Sequence, residues 1–188
     1  MAFGHGGRDF QRSVSRSLPR SGPKNLSIIL GLDLAEKTGI CVFDGTAKRL
    51  LWSDSVKLAH RDSGEGLIAL RQLLLKAIGD YHPTEVAIED VFLPAKTSRR
   101  TPIALGEMRG VARLCAAEAG LPVFFYPPTR IKMAITGSGR AEKEDVVRFI
   151  EGEFQVKVHD HNESDAISVA YTHFLSQRFF SRIPADSR

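Results

Sequence analysis

Cysteine and tryptophan are scarce in this chain, and long apolar runs are missing. Its two cysteines, Cys41 and Cys115, stand far apart among 188 residues. So placed, they have neither the clustered spacing of a zinc site nor the repeated pattern of a disulfide framework, and a reducing compartment is expected. No apolar stretch approaches the length of a membrane-crossing helix, which excludes an integral membrane protein of helical type. Charge of either sign is nearly balanced, with 26 lysines and arginines against 22 acids. The excess is local: residues 1–25 hold Arg8, Arg12, Arg16, Arg20 and Lys24 against Asp9 alone, which accounts for the whole net charge of +4. A hydrophobic fraction of 43% is ordinary for a globular domain and excludes a wholly disordered chain. The length suits one domain.

Three parts are expected. Residues 1–25 are rich in Arg, Ser, Gly and Pro and cannot bury enough surface to offset their ordering entropy, so they read as a disordered basic tail. Such a tail serves as an arm for phosphates, as a mitochondrial targeting peptide, or as a plain solvated leader. Residues 26–178 form the folded body, and 179–188 a short C-terminal tail. In the body, apolar runs predict strands over 27–32, 39–43 and 49–56, with Asp44-Gly45 as a hairpin signal between the second and third. Leu67, Leu70, Leu74 and Ile78 recur at helical spacing and predict a helix over 64–79. A strand over 85–89, a basic loop over 93–100, a helix over 103–119 and a strand over 122–126 follow. Pro127-Pro128 is expected to force a break. Helices over 142–154 and 163–177 complete the chain. Three antiparallel strands followed by strands alternating with helices predict an α/β fold with a mixed sheet.

Three acids fall where elements end. Asp33 follows the first strand, Glu89 closes the strand over 85–89, and Asp165 opens the last helix. Ligands of open α/β sheets gather beyond the carboxyl ends of strands. If the first and fourth strands pair in parallel, Asp33 and Glu89 become neighbours. Clustered carboxylates repel one another unless cations hold them, and Mg²⁺ suits such a cluster. Two such ions can activate a water and stabilise a leaving oxygen in phosphodiester hydrolysis. Taken one at a time, the same acids also fit a turn, a solvent-exposed strand end and a helix N-terminus.

The motifs carry a resemblance. Ile29-Leu30-Gly31-Leu32-Asp33 with Thr38-Gly39 resembles the opening of RuvC-type Holliday junction resolvases. Ala87-Ile88-Glu89-Asp90-Val91-Phe92 resembles their second motif, and Leu105-Gly106-Glu107-Met108-Arg109-Gly110 the helix after it. Pro122 to Lys132, then Gly137 to Lys143, run in the same order. Asn162-Glu163-Ser164-Asp165-Ala166-Ile167-Ser168-Val169-Ala170 is similar to the last motif. The match covers roughly 27–175.

This resemblance implies a ribonuclease H-like fold, a five-stranded mixed sheet flanked by helices. It also implies a homodimeric endonuclease that nicks four-way DNA junctions symmetrically with two Mg²⁺ ions per site, Mn²⁺ being the alternative. Asp33, Glu89 and Asp165 become metal-binding catalytic acids. The family's fourth acid is replaced here by Asn162, whose amide oxygen is a neutral ligand. His161, one turn before Asp165, is a candidate to act on a water or an exposed turn residue, and Asp160 and Glu163 are nearby substitutes. Phe92 matches an aromatic that stacks on a base, and Lys132 and Lys143 match phosphate-contacting positions.

The segment from Pro94 to Arg148 holds ten basic residues against five acids, the one clear positive excess in the body. With Phe92, its Lys96, Arg99, Arg100, Arg130, Lys132, Arg140 and Lys143 form the expected DNA surface. Two other function classes fit parts of the sequence: a non-catalytic junction binder, suggested by Asn162, and an ATP-binding domain of the actin and sugar-kinase type. The expected location is the cytoplasm of a bacterium or a phage-infected cell, close to the nucleoid, or a mitochondrion if the tail is a targeting peptide.

Overall fold

The computed structural model describes residues 27–58, 64–90 and 100–181. The described residues form five strands and five helices, in the order β1 Ile28–Asp33, β2 Lys37–Asp44, β3 Arg49–Lys57, α1 Glu65–Tyr81, β4 Glu85–Glu89, α2 Arg100–Glu118, β5 Val123–Tyr126, α3 Pro128–Thr136, α4 Lys143–Phe154 and α5 His161–Ser181. The strands form one mixed sheet in the order β3-β2-β1-β4-β5. β2 runs antiparallel to both β1 and β3, while β4 is parallel to β1 and to β5. The ribonuclease H-like sheet expected from the motifs is therefore the one observed.

Alternation along the strands sends side chains to two separate cores. Leu30, Leu32, Ile40, Val42, Val86 and Ile88 face α1 and α2, where Leu70, Leu74, Met108, Ala112 and Cys115 meet them. Ile29, Cys41, Phe43, Ala87 and Tyr126 face the other way, against α3, α4 and α5. Both cysteines are buried and unpaired. At the β2–β3 turn the Asp44 carboxylate accepts the amides of Thr46 and Ala47, each at 2.9 Å, and Lys48 takes a left-handed conformation with φ 53°. This is the local hydrogen bonding that gives Asp its turn preference.

α5 lies unusually close to the sheet, because two strand positions have no side chain. A Cβ on Gly31 would stand 2.5 Å from the carbonyl oxygen of Ala166 and 2.8 Å from the Ala170 methyl. A Cβ on Gly39 would run into the carbonyl of Asn162. Residues 162, 166 and 170 form one line along the helix. Glycine at 31 and 39 thus lets the helix backbone rest on β1 and β2. Farther along α5, buried His173 meets the Tyr126 hydroxyl at 2.7 Å and the Glu85 carboxylate at 2.5 Å, which ties the helix to β4 and β5.

Two expectations need correction. Pro127-Pro128 does not simply break the chain: Pro127 is extended (φ −66°, ψ 147°) and Pro128 starts α3, which was not foreseen. Proline suits the first helical position, where its missing N–H has no partner to lose. Gly137, at φ 76°, then caps α3, with its amide bonded to the Met133 carbonyl at 3.0 Å. α5 starts at His161 rather than 163 and continues to Ser181, so the boundary set at 178 falls inside a helix. The tail at 1–25 lies outside the described residues. No described helix is long and apolar enough to cross a membrane.

Candidate active site

β1 and β4 are neighbours in parallel register, with Leu32 opposite Ile88. The next residue of each strand, Asp33 and Glu89, therefore comes to the same sheet edge, on the face covered by α5. α5 brings Asp165 over that edge. One carboxylate oxygen from each of Asp33, Glu89 and Asp165 lies within 4.8 Å of the others.

The cluster is electrostatically expensive. Burial, then the nearby Asp165, pushes the Asp33 carboxyl up to about 7, although Lys143 works in the other direction. Burial, then Asp33 and Asp165, pushes Glu89 up to about 8, against the pull of Lys143 and Lys132. Lys143 Nζ stands 3.3 Å from Asp165 Oδ2. Burial alone would lower its ammonium, but Asp165, Asp33 and Glu89 together hold it above the usual lysine value. Three converging carboxylates, two of them with raised pKa values, and the lysines beside them fit a hard divalent cation, which takes oxygen ligands and favours their ionised forms.

The remaining predicted residues are distributed as follows. Asn162 is half-buried, one turn before Asp165, with its backbone carbonyl against Gly39. His161 is exposed, and its ring lies 4.0 Å from Glu144 of α4. Lys132 on α3 is half-buried and close enough to act on Glu89. Arg140 is exposed on the 137–142 loop and lines an open groove with Ser138 and Arg148. Arg130 points elsewhere: its guanidinium sits 5.1 Å from the Tyr126 ring centre and donates to Ser176 Oγ at 3.2 Å. Phe92, Lys96 and Arg99, and the side chain of Arg100, lie outside the described residues.

Asp160 and Glu163, the suggested substitutes, are engaged with β3 instead. Asp160 caps α5 by accepting the Glu163 amide at 3.1 Å, pairs with Lys37, and accepts Ser55 Oγ at 2.7 Å. Glu163 is buried and accepts Ser53 Oγ and the His159 amide, both at 2.6 Å. These hydroxyls were missed by sequence reasoning. Serines inside a strand carry no spacing signal, and their partners lie more than a hundred positions away.

A sheet with this strand order, whose acids gather where β1 and β4 end beneath the last helix, belongs to the ribonuclease H-like class, and the acid cluster is the kind its metal-dependent nucleases use. The model of one such family, crossover junction endodeoxyribonuclease RuvC, matches residues 29–173. The chain belongs to that family. A crossover junction endodeoxyribonuclease RuvC from Chromohalobacter salexigens is 32% identical over 172 residues, covering 89% of this chain and 91% of that protein. One from Anaeromyxobacter sp. strain Fw109-5 is 35% identical over 162 residues, covering 84% and 78%. Among solved structures, Thermus thermophilus RuvC in complex with Holliday junction substrate superposes with a TM-score of 0.74 at 25% identity, over 82% of this chain and 97% of that one.

Proposed function

We propose that this enzyme of the RuvC family resolves four-way DNA junctions by paired, symmetric nicks, using divalent metal held by Asp33, Glu89 and Asp165. The observation that carries this reading is the triad of carboxylates within 4.8 Å of one another, flanked by Lys143. The bound metal, Mg²⁺ in the first instance, supplies positive charge for the attacking and leaving oxygens of a phosphodiester. Asp33 and Glu89, fixed at strand ends, give up their protons to hold it. Asp165 would add its carboxylate from α5, and the Asn162 amide oxygen would add a neutral ligand from the same turn. Lys143 neutralises the cluster and stands where a scissile phosphate would need a cation. Lys132 and Arg140 extend that positive path for the DNA backbone, which positions without reading sequence.

Incision of both strands requires a second copy of the chain, and α2 is the surface we assign to it. Ile103 and Leu114 are exposed there, and Cβ atoms on Gly106 and Gly110 would meet no described atom within 4 Å. The relatives are bacterial, and we place the enzyme in the cytoplasm.

The test is cleavage of a synthetic four-way junction, beside duplex, flap and single-stranded controls, with and without Mg²⁺. Paired nicks in the junction alone, lost in Asp33→Asn and Glu89→Gln while binding persists, are expected. Binding without Mg²⁺-dependent nicking would make the chain a non-catalytic junction binder, and wild-type cleavage by either variant would remove the metal-site reading.

A further inference from the structure

α5 carries the third carboxylate of the cluster, so something must fix where along the sheet, and at what rotation, that helix sits. Its contact with β1 and β2 is a poor guide. Gly31, Gly39, Ala166 and Ala170 meet almost backbone to backbone. Around Gly31 and Gly39 this contact offers little against turning of the helix start, because the interlocking rings of Phe43, Tyr171 and Phe174 lie farther along the helix. Hydrogen bonds, being directional, can supply what that contact lacks.

His173 supplies such bonds farther along the helix, and a second set holds the helix start, where Asp165 lies. Ser53 and Ser55 are two apart on β3, opposite Cys41 and Gly39, and so face α5. Their hydroxyls donate to two different carboxylates of the helix start, Ser53 to Glu163 and Ser55 to Asp160. Glu163 and Asp165 are two residues apart on α5, about 200° around its axis. The helix start is therefore held on its β3 side while Asp165 reaches toward β1 and β4 on the other.

We propose that Ser53 and Ser55 of β3, acting through Glu163 and Asp160, are positioning residues that set Asp165 against Asp33 and Glu89. This rests on the reading of those three acids as the metal site. The β3 edge lies two strand spacings, about 10 Å, from β1, so neither serine acts on a bound ion directly. Burying the Glu163 carboxylate is costly unless it is fully hydrogen-bonded, and a small apolar side chain would fill the site without that cost. Its two short bonds, from Ser53 and from the His159 amide, meet that need and leave the first turn of α5 with one orientation. Asp160 is held in the same way. Burial would raise its carboxyl, but bonds from Lys37, Ser55 and the Glu163 amide bring it down to about 2, so it stays an ionised acceptor at neutral pH.

The test uses the full chain and Mn²⁺ alone as the probe, with free Mn²⁺ followed by electron paramagnetic resonance in the absence of DNA. Ser53→Ala/Ser55→Ala is expected to weaken Mn²⁺ binding by roughly tenfold or more, the usual scale for loss of the groups that orient metal ligands. Each single alanine variant should fall between the double variant and wild type, which keeps the test open if the double variant folds poorly. Ser53→Thr/Ser55→Thr, which keeps both hydroxyls on a strand-favouring side chain, should bind Mn²⁺ as wild type does. Junction affinity in EDTA should not change, because the basic path lies on α3 and α4. Alanine variants that melt earlier but bind Mn²⁺ as wild type does would show the bonds to be merely structural and overturn the proposal. A wild-type protein that takes up no Mn²⁺ would overturn the metal-site reading itself, and the positioning role with it.

Discussion

Asp33 and Glu89 are a burden to the metal-free protein, and the sign of that burden sets its pH dependence. In the unfolded chain both titrate in the ordinary carboxylate range, near 4. In the fold they are pushed up to about 7 and about 8, chiefly because they are buried, then because Asp165 stands by Asp33 and both Asp33 and Asp165 stand by Glu89. Between those limits the unfolded chain has released protons that the folded chain retains, so stability falls as pH rises. Below about 4 both states are protonated and the penalty vanishes. Without divalent metal, the melting temperature should therefore drop between pH 5 and pH 8, and Asp33→Asn should flatten the drop. Added Mg²⁺ must displace those protons, so it should raise the melting temperature far more at pH 8 than at pH 5. A thermal scan across that range, with and without Mg²⁺, measures both effects. Asn162 supports a second expectation at this scale. It is half-buried one turn before Asp165, where an acid would add charge to the cluster. Asn162→Asp should lower the Mg²⁺ concentration for half-maximal cleavage and lower the metal-free melting temperature, since one more carboxylate would then face Asp165. If a Mg²⁺ titration of the variant shows no shift, the side chain at 162 takes no part in holding the ion.

α3 and α4 bring cations to an edge that strands and α5 supply with acids. Lys132 and Lys143 both lower the carboxyl pKa of Glu89, so both stand close to the acid cluster. Lys132→Ala and Lys143→Ala should weaken junction binding, and each should reduce the slope of log K against log[salt] by about 1 in a titration without divalent metal. Unchanged slopes would mean that neither lysine meets the DNA. The elements were not equally legible in the sequence. β1, β2 and β4 are short apolar runs buried on both faces, and the Asp44-Gly45 turn announced the hairpin. α3 was hidden by its own first residues, because two prolines read as an ending when one of them is a beginning. The start of α5 was placed two residues late, because its cap is set by Asp160 and by contacts to β3 rather than by apolar periodicity. Asp33, Glu89 and Asp165 were visible as acids at element ends, but only the order of the surrounding motifs joined them into one site. Glu163 read as a spare ligand, since nothing local in the sequence showed that Ser53 would hold it.

A four-way junction has two-fold symmetry, and each chain offers one acid cluster among its described residues. Two incisions at equivalent points therefore call for two chains related by a two-fold axis. α2 is the surface we propose for that contact. Ile103, Gly106, Gly110 and Leu114 fall along one side of this helix, with Ile103 63% and Leu114 54% exposed. Two glycines inside an exposed helix cost about 1 kcal/mol each relative to alanine. Cβ atoms there would touch no described atom of the same chain, so close packing within the chain does not explain them. Close approach of another backbone is the explanation we propose. Gly110→Gln separates the two explanations because its effects should have opposite signs. A better helix former at an exposed site should stabilise the single chain by up to about 1 kcal/mol. The added side chain should also hold the partner away, so sedimentation should show a single chain where wild type shows two. On a cruciform plasmid the variant should leave nicked circles, since one incision does not linearise, whereas wild type should give linear product. A variant that still sediments as two chains and still linearises the plasmid would move the dimer contact off α2.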